Sequence, residues 1–285
     1  MKIGIIGAGK VGCSLGRYLR EHGASVAGYR SKSKESAEEA ATFTGTKAFP
    51  SLGELVEACD VIFITTPDRA ILPVWKDIEK ESIQGKIVCH FSGSLSSVVF
   101  SGRDRLGVFA CSIHPMYAFS NKFTSYQKLN QVLFTMEGDE SALAVMKPFF
   151  EKMGNSVCVI SPEDKVRYHA AAAMASNLMI GLYQMSLTML EGCGFTKEEA
   201  ECLIKPLVQN NVDALLKTSP EQALTGPIER NDKETIEKHL TVLNEAETQV
   251  YVNLSHELLK IAEKKYPGRD DTAIKAILEE PQNHV

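Results

Sequence analysis

Lys165 and His169 are the ends of Lys165-Val166-Arg167-Tyr168-His169. At about 100° per residue a helix sets them about 40° apart, on one face. On the same ideal helix Ser176 falls about 20° from Lys165, and Asn177 about 80° from His169, on the flank. Ala170 to Ala173 lie between and add no bulk, so this face can approach another surface closely. A helix beginning near Pro162 puts Lys165 in its first turn, by the positive end of the dipole. That position, with partial burial, lowers a lysine pKa and makes the ammonium a proton donor near neutral pH. The plainer alternative is an exposed lysine and a buried structural histidine.

A glycine turn is the second constellation. Ile3 to Ile6 form an apolar run, followed at once by Gly7-x-Gly9-x-x-Gly12 and a helical pattern, the strand–turn–helix context of a dinucleotide fingerprint. Gly7 allows the tight turn, Gly9 lets backbone approach a pyrophosphate, and Gly12 lets the helix pack on the strand. The segment Gly7, Ala8, Gly9, Lys10, Val11 and Gly12 then offers free N–H groups and the positive dipole end to phosphate. An NAD site places an acid at the end of the next strand. Here that strand ends Tyr29-Arg30-Ser31-Lys32-Ser33, with no acid before Glu35. Arg30, Ser31 and Lys32 suit a 2′-phosphate, so the cofactor expected is NADPH. An ordinary solvated basic loop is the alternative.

Ligands of doubly wound sheets bind beyond the carboxyl ends of the strands, which directs attention to three further segments. Thr65, Thr66 and Pro67 end one strand, with small residues against which a nicotinamide can lie. The next ends His90-Phe91-Ser92-Gly93-Ser94, and the one after it Ser112-Ile113-His114-Pro115-Met116. Ser92 is a candidate cofactor contact, and His90 and His114 converge on one crevice as candidate substrate contacts; either could equally satisfy turn carbonyls. Later in the chain, Thr225-Gly226-Pro227 makes a rigid loop before Arg230, whose fork suits a carboxylate. Arg230 could also form a surface ion pair with Glu229 or Asp232.

These side chains need a scaffold, and the pattern supplies two. Strands are expected at 2–6, 25–29, 47–49, 60–65, 86–91, 108–113, 131–136 and 156–160, alternating with helices: an α/β, doubly wound parallel sheet. Ser51 with Glu54 reads as a capping box. After Ile160 the strand signals stop. Ser161-Pro162, the capping box Thr196-x-x-Glu199 and Ser219-Pro220 each open a helix, and one long helix is expected from about 163 to 191. The division is a Rossmann domain over 1–160 and an all-helical substrate and dimerisation domain over 161–285.

The chain has 285 residues, 44% hydrophobic and 24% charged, with net charge −5. Nothing in that balance attracts nucleic acid or an anionic membrane. Seven cysteines are scattered without a C-x-x-C, so neither a zinc site nor any other metal site is expected. The first strand begins at residue 2 and no apolar run reaches spanning length, which points to a cytoplasmic protein.

The fingerprint, His90-x-Ser92-Gly93, His114-Pro115, Lys165-x-x-Tyr168-His169, Ser176-Asn177 and Thr225-Gly226-Pro227-x-x-Arg230-x-Asp232 together resemble one group over nearly the whole chain. It is the Rossmann-like family that contains the alternative class of ketopantoate (2-dehydropantoate) reductases, related to the β-hydroxyacid dehydrogenases. The resemblance implies NADPH-dependent reduction of a small 2-keto acid, most directly 2-dehydropantoate to pantoate in pantothenate and coenzyme A biosynthesis, by a homodimer. It implies Lys165 as the catalytic lysine, with His169 where the relatives have asparagine, and Asn177 nearby. His90, His114, Ser176, Thr225 and Arg230 are implied on the substrate. Other readings are a pyrroline-5-carboxylate reductase-like or prephenate dehydrogenase-like enzyme, or an NADP(H)-sensing binding protein without turnover.

Overall fold

The structure is a computed structural model that describes residues 1–279. Its contacts divide the chain into two compact units, Met1–Ser176 and a second beginning at Asn177. All eight expected strands form: β1 (Lys2–Ile6), β2 (Ser25–Arg30), β3 (Lys47–Ala48), β4 (Val61–Ile64), β5 (Ile87–His90), β6 (Phe109–Pro115), β7 (Phe134–Gly138) and β8 (Val157–Val159). They make one sheet in the order β3-β2-β1-β4-β5-β6-β7-β8. Helices α1 (Lys10–Glu21), α2 (Lys34–Thr44), α3 (Leu52–Glu57), α4 (Asp68–Ile78) and α5 (Glu140–Glu151) follow their strands.

The strands read as unbroken apolar runs because both sheet faces are covered. Along β4, Val61 and Phe63 enter a core with Ile3, Ile5, Leu15 and Phe150. Ile62 and Ile64 enter the opposite core with Trp75, Val88 and Phe100. Successive residues alternate sides, as a strand must.

The sheet departs from the all-parallel expectation at one place. β7 runs antiparallel to β6, and β8 parallel to β7. Parallel neighbours need a long crossover, usually an α-helix. Residues 116–133 carry only the short 3-10 segment Ser125–Gln131, so the chain turns back instead. Ser51 Oγ accepts the Glu54 N–H, but the Glu54 carboxylate accepts from that hydroxyl rather than from the Ser51 backbone, half of the expected box.

The helix expected over 163–191 begins later and is interrupted. Ser161 Oγ accepts the Asp164 N–H across a turn, and α6 spans Lys165–Ala173. A π-helical turn, Met174–Leu178, follows before α7 (Met179–Gly192). The second unit continues with α8 (Lys197–Lys217), α9 (Pro220–Ala223), α10 (Lys233–Leu240), α11 (Glu245–Lys265) and α12 (Thr272–Glu279). Thr196 and Glu199 form the capping box that opens α8. Ser219 and Asp232 cap α9 and α10. Leu224, Ile228, Ile236, Leu259 and Ile274 are buried together in its core. Among the described residues no helix is long and apolar enough to cross a membrane.

Candidate functional site

Strand register brings the candidate residues of the first unit to one edge. Arg30 pairs with Ile6, Ile6 with Ile64, Ile64 with His90, and His90 with Ser112. The glycine turn, Thr65–Pro67 and Phe91–Ser94 follow those residues directly, at the carboxyl ends where nucleotides bind. Arg30 and His90 stand three strand spacings apart, about 14 Å.

Gly7 has φ 108° and its N–H donates to the Arg30 carbonyl at 2.9 Å. A Cβ on Gly12 would collide with the Gly7 carbonyl and Thr65 Oγ1. Gly9 is different: a Cβ there meets no protein atom within 4 Å. Packing does not demand this glycine, and its bare backbone leaves open space beside the turn. It is also the N-cap of α1, with no side chain closing the first turn, so those N–H groups suit a pyrophosphate. Thr65 acts otherwise than expected, its hydroxyl donating to the Gly7 carbonyl at 2.9 Å and bracing the turn. Thr66 Oγ1 is buried without a hydrogen-bond partner. Half-buried Arg30 donates to the Ser31 carbonyl, Ser31 is half-exposed, Lys32 is exposed, and no acid stands beside them at the end of β2. These residues fit NADP.

Ser92 is mostly engaged within its own loop. Its hydroxyl donates to Asp68 Oδ2 at 2.8 Å and accepts the N–H groups of Ser94 and Leu95. Its backbone N–H donates to His90 Nδ1 at 3.2 Å, which leaves the His90 proton on Nε2. Burial pushes His90 down to about 4, so the ring is neutral at pH 7. His114 Nδ1 lies 2.8 Å from the Tyr168 hydroxyl. Burial first, then the Lys165 charge, pushes this ring also down to about 4.

Lys165 and His169 share a face of α6, and His169 meets the Gly93 loop. A Cβ on Gly93 would collide with His169 Nδ1 and lie 2.9 Å from His114 Nε2, so only glycine lets both rings close on this segment. The His114 and His169 rings stand nearly perpendicular, 6.0 Å apart. Lys165 is 0% exposed. Its Nζ has no hydrogen-bond partner, and neither has buried His169 Nδ1. Burial pulls the ammonium down to about 8, with Glu137 the leading group that opposes this. A buried donor left unmade is costly.

Beyond Ala173 the expected helical phase does not hold, because a π turn advances each residue by less than an α turn. Ser176 and Asn177 lie within that turn, and the Ser176 hydroxyl donates to the Ala172 carbonyl at 2.7 Å. Thr225 and Arg230 belong to the second unit and are exposed. Arg230 lies 3.8 Å from Asp232 Oδ2, the ion pair that was its plainer alternative. Among the described residues no group of three or more His, Cys, Asp or Glu is placed to hold a metal.

Asp68, Ser97 and Glu137 join the site without having been candidates in the sequence, and Tyr168 stood in the Lys165-x-x-Tyr168-His169 motif without a role of its own. Glu137 carried a signal, an acid among the mainly apolar residues of β7.

Comparison with known proteins agrees with the architecture. Residues 2–92 match the family model described as NADP oxidoreductase coenzyme F420-dependent. Residues 132–258 match Domain of unknown function (DUF2520). No curated protein matches the chain. The crystal structure of protein TM1727 from Thermotoga maritima is 27% identical, covers 92% of this chain and 99% of its own, and has a TM-score of 0.74. An NADH-preferring ketol-acid reductoisomerase from an uncultured archaeon is similar in fold, at 14% identity, 99% and 91% coverage and TM-score 0.66. A pyrroline-5-carboxylate reductase from Coxiella burnetii shares it too, at 16% identity, 98% coverage of each chain and TM-score 0.57. The chain has the fold of NADP-type oxidoreductases.

Proposed function

We propose that this chain is an NADPH-dependent reductase of a small 2-keto acid, with 2-dehydropantoate as the substrate reduced to pantoate. One observation carries the reading: a fully buried lysine without a partner at Nζ, at the carboxyl edge of a nucleotide-type sheet. Gly7 to Gly12 hold the pyrophosphate, and Arg30 with Ser31 and Lys32 holds the 2′-phosphate. NADPH, when bound, supplies the hydride for the ketone carbon. Lys165 stabilises the oxygen that becomes negative and gives it a proton. His169 Nδ1 orients that oxygen, and neutral His114 keeps a second positive charge away from the ammonium. Asn177 joins His169 in fixing the geometry of that oxygen, and His90, Arg230, Thr225 and Ser176 enter as substrate contacts, Thr225 and Ser176 through the resemblance alone.

The test is nucleotide oxidation by purified protein with 2-dehydropantoate, pyrroline-5-carboxylate and prephenate, each with NADPH and NADH. Oxidation of NADPH by 2-dehydropantoate alone is expected; turnover with only another compound overturns the substrate, and none at all leaves a nucleotide sensor. In the same assay Arg30→Ala raises KM for NADPH at least about tenfold and leaves NADH little changed, since it removes a charge-assisted bond to phosphate. Equal loss for both would remove Arg30 from the 2′-phosphate.

The second unit is proposed to pair with a second copy. α7 reads Met-Ile-Gly-Leu-Tyr-Gln-Met-Ser-Leu-Thr-Met-Leu-Glu-Gly, yet only Leu187 on it is buried. Ile180 is 66% exposed, and on α8 Leu207 is 61% and Leu216 79% exposed. A helix apolar all round calls for cover on every side. Light scattering should give the mass of two chains; a stable monomer at micromolar concentration refutes the pairing.

A further inference from the structure

β7 alternates in an instructive way. Phe134 and Met136 enter the apolar core on one face, so Thr135 and Glu137 project from the other. There Glu137 stands opposite Ser112, which stands beside His90. His90, Ser112 and Glu137 therefore form one polar row on a sheet face otherwise covered by Ile64, Val88 and Phe100. Glu137 is 1% exposed, and both its oxygens are engaged by one residue. The Ser97 N–H donates to Oε1 at 2.7 Å and the Ser97 hydroxyl to Oε2 at 2.8 Å. Ser97 closes the segment that begins at Ser92 and contains Gly93, the residue against which His114 and His169 pack. A buried carboxylate is costly unless it is hydrogen-bonded and faces a positive charge. Ser97 supplies the bonds and leaves the charge to be accounted for.

Lys165 is the buried cation on this side, carried by the helix whose Tyr168 hydroxyl lies 2.8 Å from His114 Nδ1 on β6. The groups whose charge acts on its ammonium are Glu137 from β7, Cys111 and His114 from β6, His90 from β5 and Asp68 at the start of α4, none of them hydrogen-bonded to Nζ. From its own helix come the Tyr168 ring, 5.9 Å away, and His169. The histidines at the sheet edge are neutral and Cys111 is buried. Asp68 is exposed, so water screens its charge. Glu137 alone of these groups is both acidic and buried.

We propose that Glu137 is a positioning residue for the reaction: its carboxylate, clamped by Ser97, is the buried counter-charge that the Lys165 ammonium faces, and it holds the Ser92–Ser97 segment seated beneath the histidines. The role deepens the proposed function, because it rests on Lys165 being the proton donor. Glu137 itself touches no reacting atom. It acts through the lysine and through Ser97.

The experiment follows the lysine directly, without substrate. Full-length protein carrying 13C-lysine is titrated by NMR, with the Lys165 Cε signal assigned by its loss in Lys165→Met. Glu137→Gln keeps the shape and can still bond Ser97, and Glu137→Met is a second way to delete the charge. In either variant that retains a cooperative thermal transition, the Lys165 midpoint is expected at least about one pH unit below that of the parent. A merely structural glutamate would leave that midpoint in place. An unmoved midpoint in a folded variant overturns the proposal. Turnover of 2-dehydropantoate separates the two ideas. A displaced midpoint with no keto acid reduced by the parent protein sinks the reductase and keeps the Glu137–Lys165 pairing. An active parent whose alkaline limb follows Lys165, with the midpoint unmoved in the variants, sinks Glu137 alone.

Discussion

Lys165→Met is expected to lower kcat by about 10²-fold or more at pH 7, the usual loss when a general acid is removed. The loss has a pH signature. Burial holds the ammonium near 8, so parent turnover is highest below that pH and falls as pH rises through it. In the variant this alkaline limb disappears, and what remains is the slow hydride transfer with water as proton source. NADPH binding, measured without substrate, is expected to stay within about threefold, because the phosphates are assigned to the glycine turn and Arg30 rather than to Lys165. A folded Lys165→Met protein with near-normal kcat takes the lysine out of the mechanism.

Where Glu137→Gln has already removed the carboxylate that the lysine faces, adding the same substitution is expected to stabilise the fold. The lysine titrates lower in the folded chain than in the unfolded one, so between the two values the unfolded state binds more protons and stability rises with pH. Below about pH 8 the folded state instead bears the full strain of a buried ammonium without a hydrogen bond, about 3 kcal/mol. Methionine of similar length fills the space without that charge. Its advantage is therefore complete at pH 7 and fades as pH climbs from 8 toward the ordinary lysine range. Thermal unfolding at pH 7 and pH 10 reads the sign: a double variant less stable than Glu137→Gln at pH 7 contradicts it. Stability lost for the sake of a charge in place is what an active site shows and a structural lysine does not.

What the sequence disclosed, it disclosed through local patterns. The eight strands were legible because apolar runs bounded by turns need no knowledge of neighbours. The caps at Thr196 and Ser219 close within three residues, and Lys165 with His169 needed only the helical period. What escaped depends on distant partners. Thr65 looked like a floor for nicotinamide, but its hydroxyl is taken by Gly7, 58 residues earlier. Ser97 and Glu137 are 40 residues apart, and neither neighbourhood hints at the other. The reversal of β7 was hidden because alternation of side chains is the same in either direction. The π turn was hidden because Ala170 to Asn177 satisfies an ideal α-helix as well as it does the bulged one.

The glycine turn offers the other large effect, since its two inner glycines have different reasons to be bare. Gly12→Ala forces a methyl into the Gly7 carbonyl and Thr65 Oγ1. The carbonyl is backbone, and the threonine is buried and bonded to that same carbonyl, so neither can step aside. Overpacking of this kind costs about 1–3 kcal/mol or more, and both the melting temperature and NADPH binding should fall. Gly9→Ala places its methyl where no protein atom lies within 4 Å. Gly9 also has φ −79°, a backbone that alanine accepts without strain. The fold should therefore melt as before, while Kd for NADPH rises by about tenfold or more because the methyl stands where the pyrophosphate must approach. Calorimetric binding beside thermal unfolding distinguishes the two sites. Were Gly9→Ala to bind NADPH as tightly as the parent, the phosphates could not rest on this turn, and the nucleotide reading of the whole sheet edge would lose its foundation.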